Sequence, residues 1–251
     1  MKLISNKRTS KCSTRKEIAM KKNCKNWIYQ FAIMGIFLIL SYSCKKKDDN
    51  SNPTGTISNI DGNVYHSVTI GTQIWMLENL KTTKYNNGTS IPLVTDSAAW
   101  SNLDTPGYCW YNNDAANKNT YGALYNWYTV NTGILAPTGW HVPTDAEWTI
   151  LTTYLGGESI AGGKLKETGS THWRSPNAGA TNESGFTALP GGHRDINGAF
   201  NVIGDDGYWW SVTEYSTTGK VWYRNMDYNY AGVVPVSNNK KNGHSVRCVK
   251  N

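Results

Sequence analysis

Carboxylates and amides crowd one stretch of this chain. Asn177, Asn182, Glu183, Asp195, Asn197, Asp205 and Asp206 fall in Gly-rich, loop-like sequence. Oxygen donors at that density could hold a structural Ca2+, although turns select the same residue types. His193-Arg194-Asp195 lies among them, a polar trio that reads as a salt-bridged turn or as part of a pocket. Aromatic rings are the second resource. Ten of the 11 Trp and 13 of the 15 Tyr follow residue 58, and ring faces stack on sugars and peptides. Trp173, Trp209, Trp210, Trp222 and Tyr223, on late strands and loops, are the expected ligand-binding residues, with Arg194 among them. The same stretch has only two Phe and few Leu, so most rings must also fill the core.

No catalytic constellation emerges from the spacing. There is no Gly-x-Ser-x-Gly, His-Glu-x-x-His or Walker-type loop. The five His (66, 141, 172, 193 and 244) are scattered. The sequence therefore predicts binding rather than catalysis.

These residues need elements to position them. The strongest local signal is Gly139–Trp148, where Thr144-Asp-Ala-Glu147 forms a capping box behind Pro143. Trp148, Leu151 and Leu155 share a helical face, and Gly156-Gly157 supplies a stop. A shorter first helix is expected over Tyr121–Val130. Strands are expected at Asn63–Ile70 and Gln73–Met76, joined by Gly71-Thr72, and later at Phe186–Leu189, Tyr208–Val212, Val221–Met226 and His244–Val249. Residues 81–118 read mostly as loop. Two short helices and several short antiparallel strands with long loops make an α+β domain.

The first 43 residues read as a signal peptide: a basic segment, the apolar run within Trp27–Tyr42, then small residues. Met20, followed by Lys21-Lys22, makes a better initiator than Met1. Cys44, directly after the apolar run, resembles the lipobox cysteine of bacterial lipoproteins, with Ser41 and Leu40 departing from the usual pattern. The resemblance implies acylation of Cys44 and attachment to a lipid membrane. Lys45-Lys-Lys-Asp-Asp49 resembles the tag of Bacteroidetes-type lipoproteins shown on the outer face of the outer membrane. Residues 44–58 then read as the lipidated Cys and a flexible tether, and 59–251 as one domain.

Processing changes the charge. The chain carries 25 Lys/Arg and 18 Asp/Glu, for a net +7. Residues 1–43 hold nine of the bases and one acid, so 16 and 17 remain and the mature chain is near −1. Nothing then argues for nucleic acid as a partner. The five Cys reduce to Cys109 and Cys248 once the presequence is removed and Cys44 is acylated. In an oxidising compartment these two either form one disulfide or stay as buried free thiols. A bridge over so long a loop would stabilise by roughly 3–5 kcal/mol.

Several motifs resemble the Fibrobacter succinogenes major paralogous domain. They are Asp61-Gly-Asn-Val-Tyr65, Ile70-Gly-Thr-Gln-Ile-Trp-Met76 with Glu78-Asn-Leu80, Tyr108-Cys-Trp-Tyr111 and Tyr121-Gly-Ala-Leu-Tyr-Asn-Trp127. The capped helix start, Gly185–Gly192, Tyr208–Thr213 and Ser245-Val-Arg-Cys-Val249 follow in order through 59–251. The resemblance implies a C-type-lectin-like fold on secreted or lipid-anchored proteins, and no particular activity. The helix start and the Arg-Cys strand are also similar to the formylglycine-generating group. That group uses a pair of reactive Cys near the domain end, where this chain has Cys248 alone. Calcium-dependent lectins carry Glu-Pro-Asn or Gln-Pro-Asp and a later Trp-Asn-Asp, where this chain has Ser175-Pro-Asn177 and Asn225-Met-Asp227. The expected function is a surface-anchored binding domain for a glycan, peptide or surface polymer. The alternatives are a structural or assembly component of the envelope and, further off, an enzyme of the formylglycine-generating type.

Overall fold

The computed structural model describes residues 55–216 and 219–251. The signal peptide, Cys44 and most of the tether lie outside the described residues. The tether's last four residues do not: Gly55–Ser58 is strand β1. It pairs antiparallel with β2, Val64–Ile70, whose own partner is β3, Gln73–Met76. Flexible-looking composition gave no sign of β1, because a strand at a sheet edge draws its order from its neighbour's backbone.

The main sheet runs β1-β2-β3-β12-β6, with β6 at Trp140–His141 and β12 at Val249–Lys250. Its register places Val249 opposite both Trp75 and His141. The first hairpin and the last residues of the chain thus share one sheet, and closing it requires nearly the whole sequence. A second sheet, β11-β10-β9, joins Asp206–Tyr215 (β9), Lys220–Asp227 (β10) and Val234–Asn239 (β11). A bulge interrupts the β9–β10 register between Val221 and Tyr223. Two small pairs complete the strands: β4 (Tyr108–Cys109) with β5 (Leu124–Tyr125), and β7 (His193–Arg194) with β8 (Phe200–Asn201). The helices are short: α1 (Ser97–Ser101), α2 (Lys118–Tyr121), α3 (Trp127–Val130), α4 (Asp145–Tyr154) and α5 (Glu158–Leu165). Helices with antiparallel strands make the domain α+β, as composition and spacing predict. No helix among the described residues is long and apolar enough to cross a membrane.

Helix α4 starts where the capping box predicts. The Thr144 hydroxyl accepts from the Glu147 N–H at 3.2 Å, and the Glu147 carboxylate accepts from the Thr144 N–H at 2.7 Å. Gly156 and Gly157 end it with φ near +100° (101° and 102°), a region that favours glycine. Its buried face of Trp148, Leu151 and Leu155 joins Trp75, Trp173, Phe186 and Trp209 in one core cluster. Trp75 and Trp148 rings lie 4.9 Å apart, and Phe186 packs against both. A second cluster holds Tyr65, Leu80, Tyr125, Trp127, Trp210 and Cys248. A third and smaller one holds Trp100, Cys109, Tyr111 and Leu124.

The structure corrects several expectations. Tyr121–Val130 is not one helix: Gly122 breaks it at φ +76°, Ala123 donates to the Leu80 carbonyl, and β5 pairs with β4 before α3 begins. Phe186–Leu189 is not a strand, and Ala188 makes only an isolated bridge to Lys166. His244–Val249 makes bridges at His244 and Ser245, with regular pairing only at its end. Strand β11 and helix α5 were not expected. Helix α5 contains Gly162 and Gly163, and each glycine disfavours helix by about 1 kcal/mol. Close packing overrides that: a Cβ on Gly162 would overlap the Gly232 carbonyl, and one on Gly163 the Gly179 carbonyl. The expected disulfide is not formed. Cys109 and Cys248 are free, buried thiols in two different clusters, each enclosed by its own apolar neighbours. Burial pushes the Cys109 thiol up to about 12.

Gly162→Ala should therefore lower stability by about 1–3 kcal/mol despite alanine's better helix propensity, the overlap being with backbone. Urea unfolding followed by tryptophan fluorescence measures it. A gain in stability would mean that α5 does not pack this closely.

Candidate functional site

The buried polar groups of this domain mostly serve its own backbone. Arg194 is 0% exposed. Its guanidinium donates to the carbonyls of Gly198, Val94 and Thr95 and lies over the Trp100 and Phe200 rings. Arg194 is therefore not the salt-bridging member of a His193-Arg194-Asp195 turn, and its guanidinium is not open to a ligand. The Arg194 guanidinium turns inward, and Asp195 accepts from the Ile196 N–H. Trp173, Trp209 and Trp210 are at most 1% exposed. Their indole N–H groups donate to Ala188 O, Asn79 Oδ1 and Tyr125 O. Tyr223 is buried too. Rings enclosed on both faces offer no stacking surface, so these four are core and not ligand platforms. Trp222 remains half-buried on β10, perpendicular to the Tyr215 ring at 4.7 Å.

The expected calcium ligands do not converge. Asn182 closes a turn with Thr187, Glu183 pairs with Lys164, Asp205 with Arg174, and Asp206 accepts from the Tyr208 hydroxyl. The Asn177 side-chain amide donates to the carbonyls of Glu167 and Gly169. Among the described residues no group of three or more His, Cys, Asp or Glu is placed to hold a metal ion. The acids and amides shape the loops in which they occur, the use that turns make of them.

What the loops do build is a pocket of about 410 Å³. Leu77, Glu78 and Asn79 enter it after β3, Asn119 and Thr120 from α2, His172, Thr187 and Leu189 from the loops after α5, and Arg247 from just before β12. Arg247 is its floor, 1% exposed. It donates to Asn79 Oδ1 through Nε (3.1 Å) and Nη2 (3.0 Å), and through Nη1 to Met76 O (3.2 Å) and Phe186 O (2.6 Å). The guanidinium also lies 4.2 Å from the Phe186 ring centroid. Burial lowers its pKa to about 9, opposed by the charge of Glu78, and the group stays a cation at neutral pH. Asn79 is equally fixed, donating to Tyr121 O and accepting from Trp209.

The rim is different. His172 Nδ1 faces both oxygens of Glu167, at 2.8 and 3.0 Å. Glu78 accepts from the His66 backbone N–H and holds His66 Nδ1 at 2.6 Å. A ring nitrogen facing a carboxylate donates to it, so each imidazole is tied to its acid through Nδ1. Asn119 and Thr120 are exposed and form no side-chain hydrogen bond among the described residues. The floor is rigid and satisfied, and the rim has unused donors and acceptors. That division suits a small-molecule or polymer-end site, with orientation fixed below and selection made at the mouth.

The sequence did carry a signal for this pocket. Glu78-Asn-Leu80 and Ser245-Val-Arg-Cys-Val249 are motifs that local structure does not explain, an amide and a cation among apolar residues. Nothing in the sequence brought them to His172.

One more buried polar group stands apart. His244 is 1% exposed, with neither ring nitrogen bonded, among Trp210 (4.2 Å), Tyr223 (4.8 Å), Tyr208 (5.2 Å) and His193 (5.8 Å). Burial, and then the neighbouring His193, hold it well below the ordinary histidine range. Burial likewise lowers His193, with Asp195 opposing. Both are neutral when folded and take up a proton more readily when unfolded. Their stabilisation is therefore complete above about pH 6.5 and is lost as pH falls below it. Urea midpoints should drop between pH 7 and 5 by the equivalent of roughly 1–2 kcal/mol, and His244→Phe should flatten that dependence. An unchanged midpoint would mean that His244 is solvated.

A scan against family models matches residues 68–250 to the Fibrobacter succinogenes major domain. No curated protein and no solved structure matches the chain.

Proposed function

Because this chain belongs to the Fibrobacter succinogenes major domain family, we propose that it is a lipid-anchored binding domain at the cell surface. It recognises a glycan, peptide or surface polymer without transforming it. The observation that carries this reading is the Arg247-floored pocket. Its fixed base, and the unbonded Asn119 and Thr120 beside the Glu167-held His172 at its mouth, are what ligand orientation and selection require. The address rests on sequence: the apolar leader, Cys44 and the charged run after it, all outside the described residues. The C-type-lectin-like assignment of the fold belongs to the same proposal. Support comes from terminal strands sharing one sheet and from long loops that build the pocket.

A second reading, as an envelope assembly component, draws on a different surface. Ile150, Tyr154 and Ile160 are 49%, 54% and 45% exposed, and the first two line an open cleft with Gly71 and Thr72. Exposed apolar side chains gathered in one cleft, as Ile150 and Tyr154 are, mark protein contacts.

Two experiments test the first reading. On glycan and peptide arrays, Asn119→Ala with Thr120→Val should weaken binding by about tenfold, or 1.4 kcal/mol, without shifting Tm. Retention of full affinity would place the ligand elsewhere, and loss in Ile150→Asp instead would favour the assembly reading. Cys44→Ser should abolish incorporation of radiolabelled palmitate and move the protein from the membrane to the soluble fraction.

A further inference from the structure

The pocket's electrostatics narrow the ligand. Arg247 and Glu78 are the charged residues of its lining, and Glu167 stands behind His172. Two carboxylates, Glu78 in the lining and Glu167 behind it, stand against one cation. Position matters as much as sum. The cation is fully buried and donates to Asn79, Met76 and Phe186. The carboxylates are at the surface, with Glu78 34% and Glu167 22% exposed. Each holds a histidine Nδ1, Glu78 that of His66 and Glu167 that of His172.

Acceptors therefore crowd the mouth, where Asn119 and Thr120 add donors, and Leu77 and Leu189 offer small apolar contacts. A ligand carboxylate or sulfate would meet Glu78 before it reached Arg247, whose charge is already screened by three neutral acceptors. A hydroxyl would be accommodated. An ammonium group beside hydroxyls would find its acceptor in the Glu78 carboxylate, in a charge-assisted hydrogen bond.

We propose that this pocket selects amino-bearing sugars, a hexosamine unit with a free amine, over neutral sugars, and excludes acidic ones. This inference rests on the glycan-binding form of the function proposed above. Glu78 is the specificity-determining residue, and Arg247 is the fixed floor that holds Asn79 and the segment carrying Glu78 in place.

The test uses the full chain and four β-linked tetrasaccharides: glucosamine, N-acetylglucosamine, glucose and glucuronic acid. Calorimetry at pH 7 and at 50 and 300 mM salt reads each affinity. The expected order is free amine first, by about tenfold over glucose, with glucuronic acid unbound. The preference should shrink at high salt. Glu78→Gln keeps an acceptor for His66 and should remove the preference, bringing the free-amine and glucose affinities level. Asn119→Ala should weaken all bound sugars alike, and unchanged Tm controls for folding. Equal binding of amine and glucose, or preference for glucuronic acid, overturns the inference and leaves glycan binding standing. Binding of none of the four overturns the inference, and the glycan and peptide arrays then decide the reading it rests on.

Discussion

The structure depends on finding donors for backbone carbonyls that are buried but lie outside regular elements. A chain with so much loop inside cannot satisfy its peptides through helix and sheet ladders alone, and an unpaired buried carbonyl costs on the order of 1–3 kcal/mol. Side chains take over the task. Arg194 caps Val94, Thr95 and Gly198, and Arg247 caps Met76 and Phe186. Lys166, 0% exposed, donates to Asp227 and Tyr230. Trp127, Trp148, Trp173 and Trp210 do the same through their indoles, to Ser211, Trp210, Ala188 and Tyr125. Tryptophan suits this chain because one residue supplies both a large apolar volume and a donor.

Cations used in this way need no carboxylate partner. Each makes hydrogen bonds to neutral oxygens and packs over a ring, as Arg247 does on Phe186 and Lys166 on Trp173. Charge-assisted bonds of this kind are the stronger ones, and they fix distant segments to one another. Arg247 connects the end of the chain to the loop after β3 and to Phe186. The pocket follows from that junction. Its floor is rigid for reasons of folding, and its rim, where Asn119 and Thr120 are exposed, keeps spare hydrogen-bonding capacity.

Glycine does the complementary work. Gly162 and Gly163 let α5 lie against the backbone at Gly232 and Gly179. This approach brings the loops after α5 into the domain, where Ala178 donates to Tyr228 O and Thr181 to Gly163 O. Trp173 and Phe186 are carried into the core beside Trp75, and His172 is carried to the pocket.

What the sequence determined by itself was local. The α4 helix was legible because a capping box, an apolar face and a glycine stop are all read within a dozen residues. The β2–β3 hairpin was legible from its alternation and turn, and the family from motifs spread in order along the chain. Tertiary structure decided the rest. Tyr121–Val130 has helical spacing, yet it is broken by pairing to Tyr108 and His244, partners no local pattern announces. Trp173, Trp209 and Trp210 look like platforms in a list of residues and become core only once both faces are covered. Cys109 and Cys248 count as a pair and fold into separate clusters. The pocket joins segments near residues 78, 119, 172, 187 and 247. Propensity and periodicity act over one or two turns of chain, whereas burial, charge compensation and carbonyl satisfaction are settled by whichever distant segment arrives.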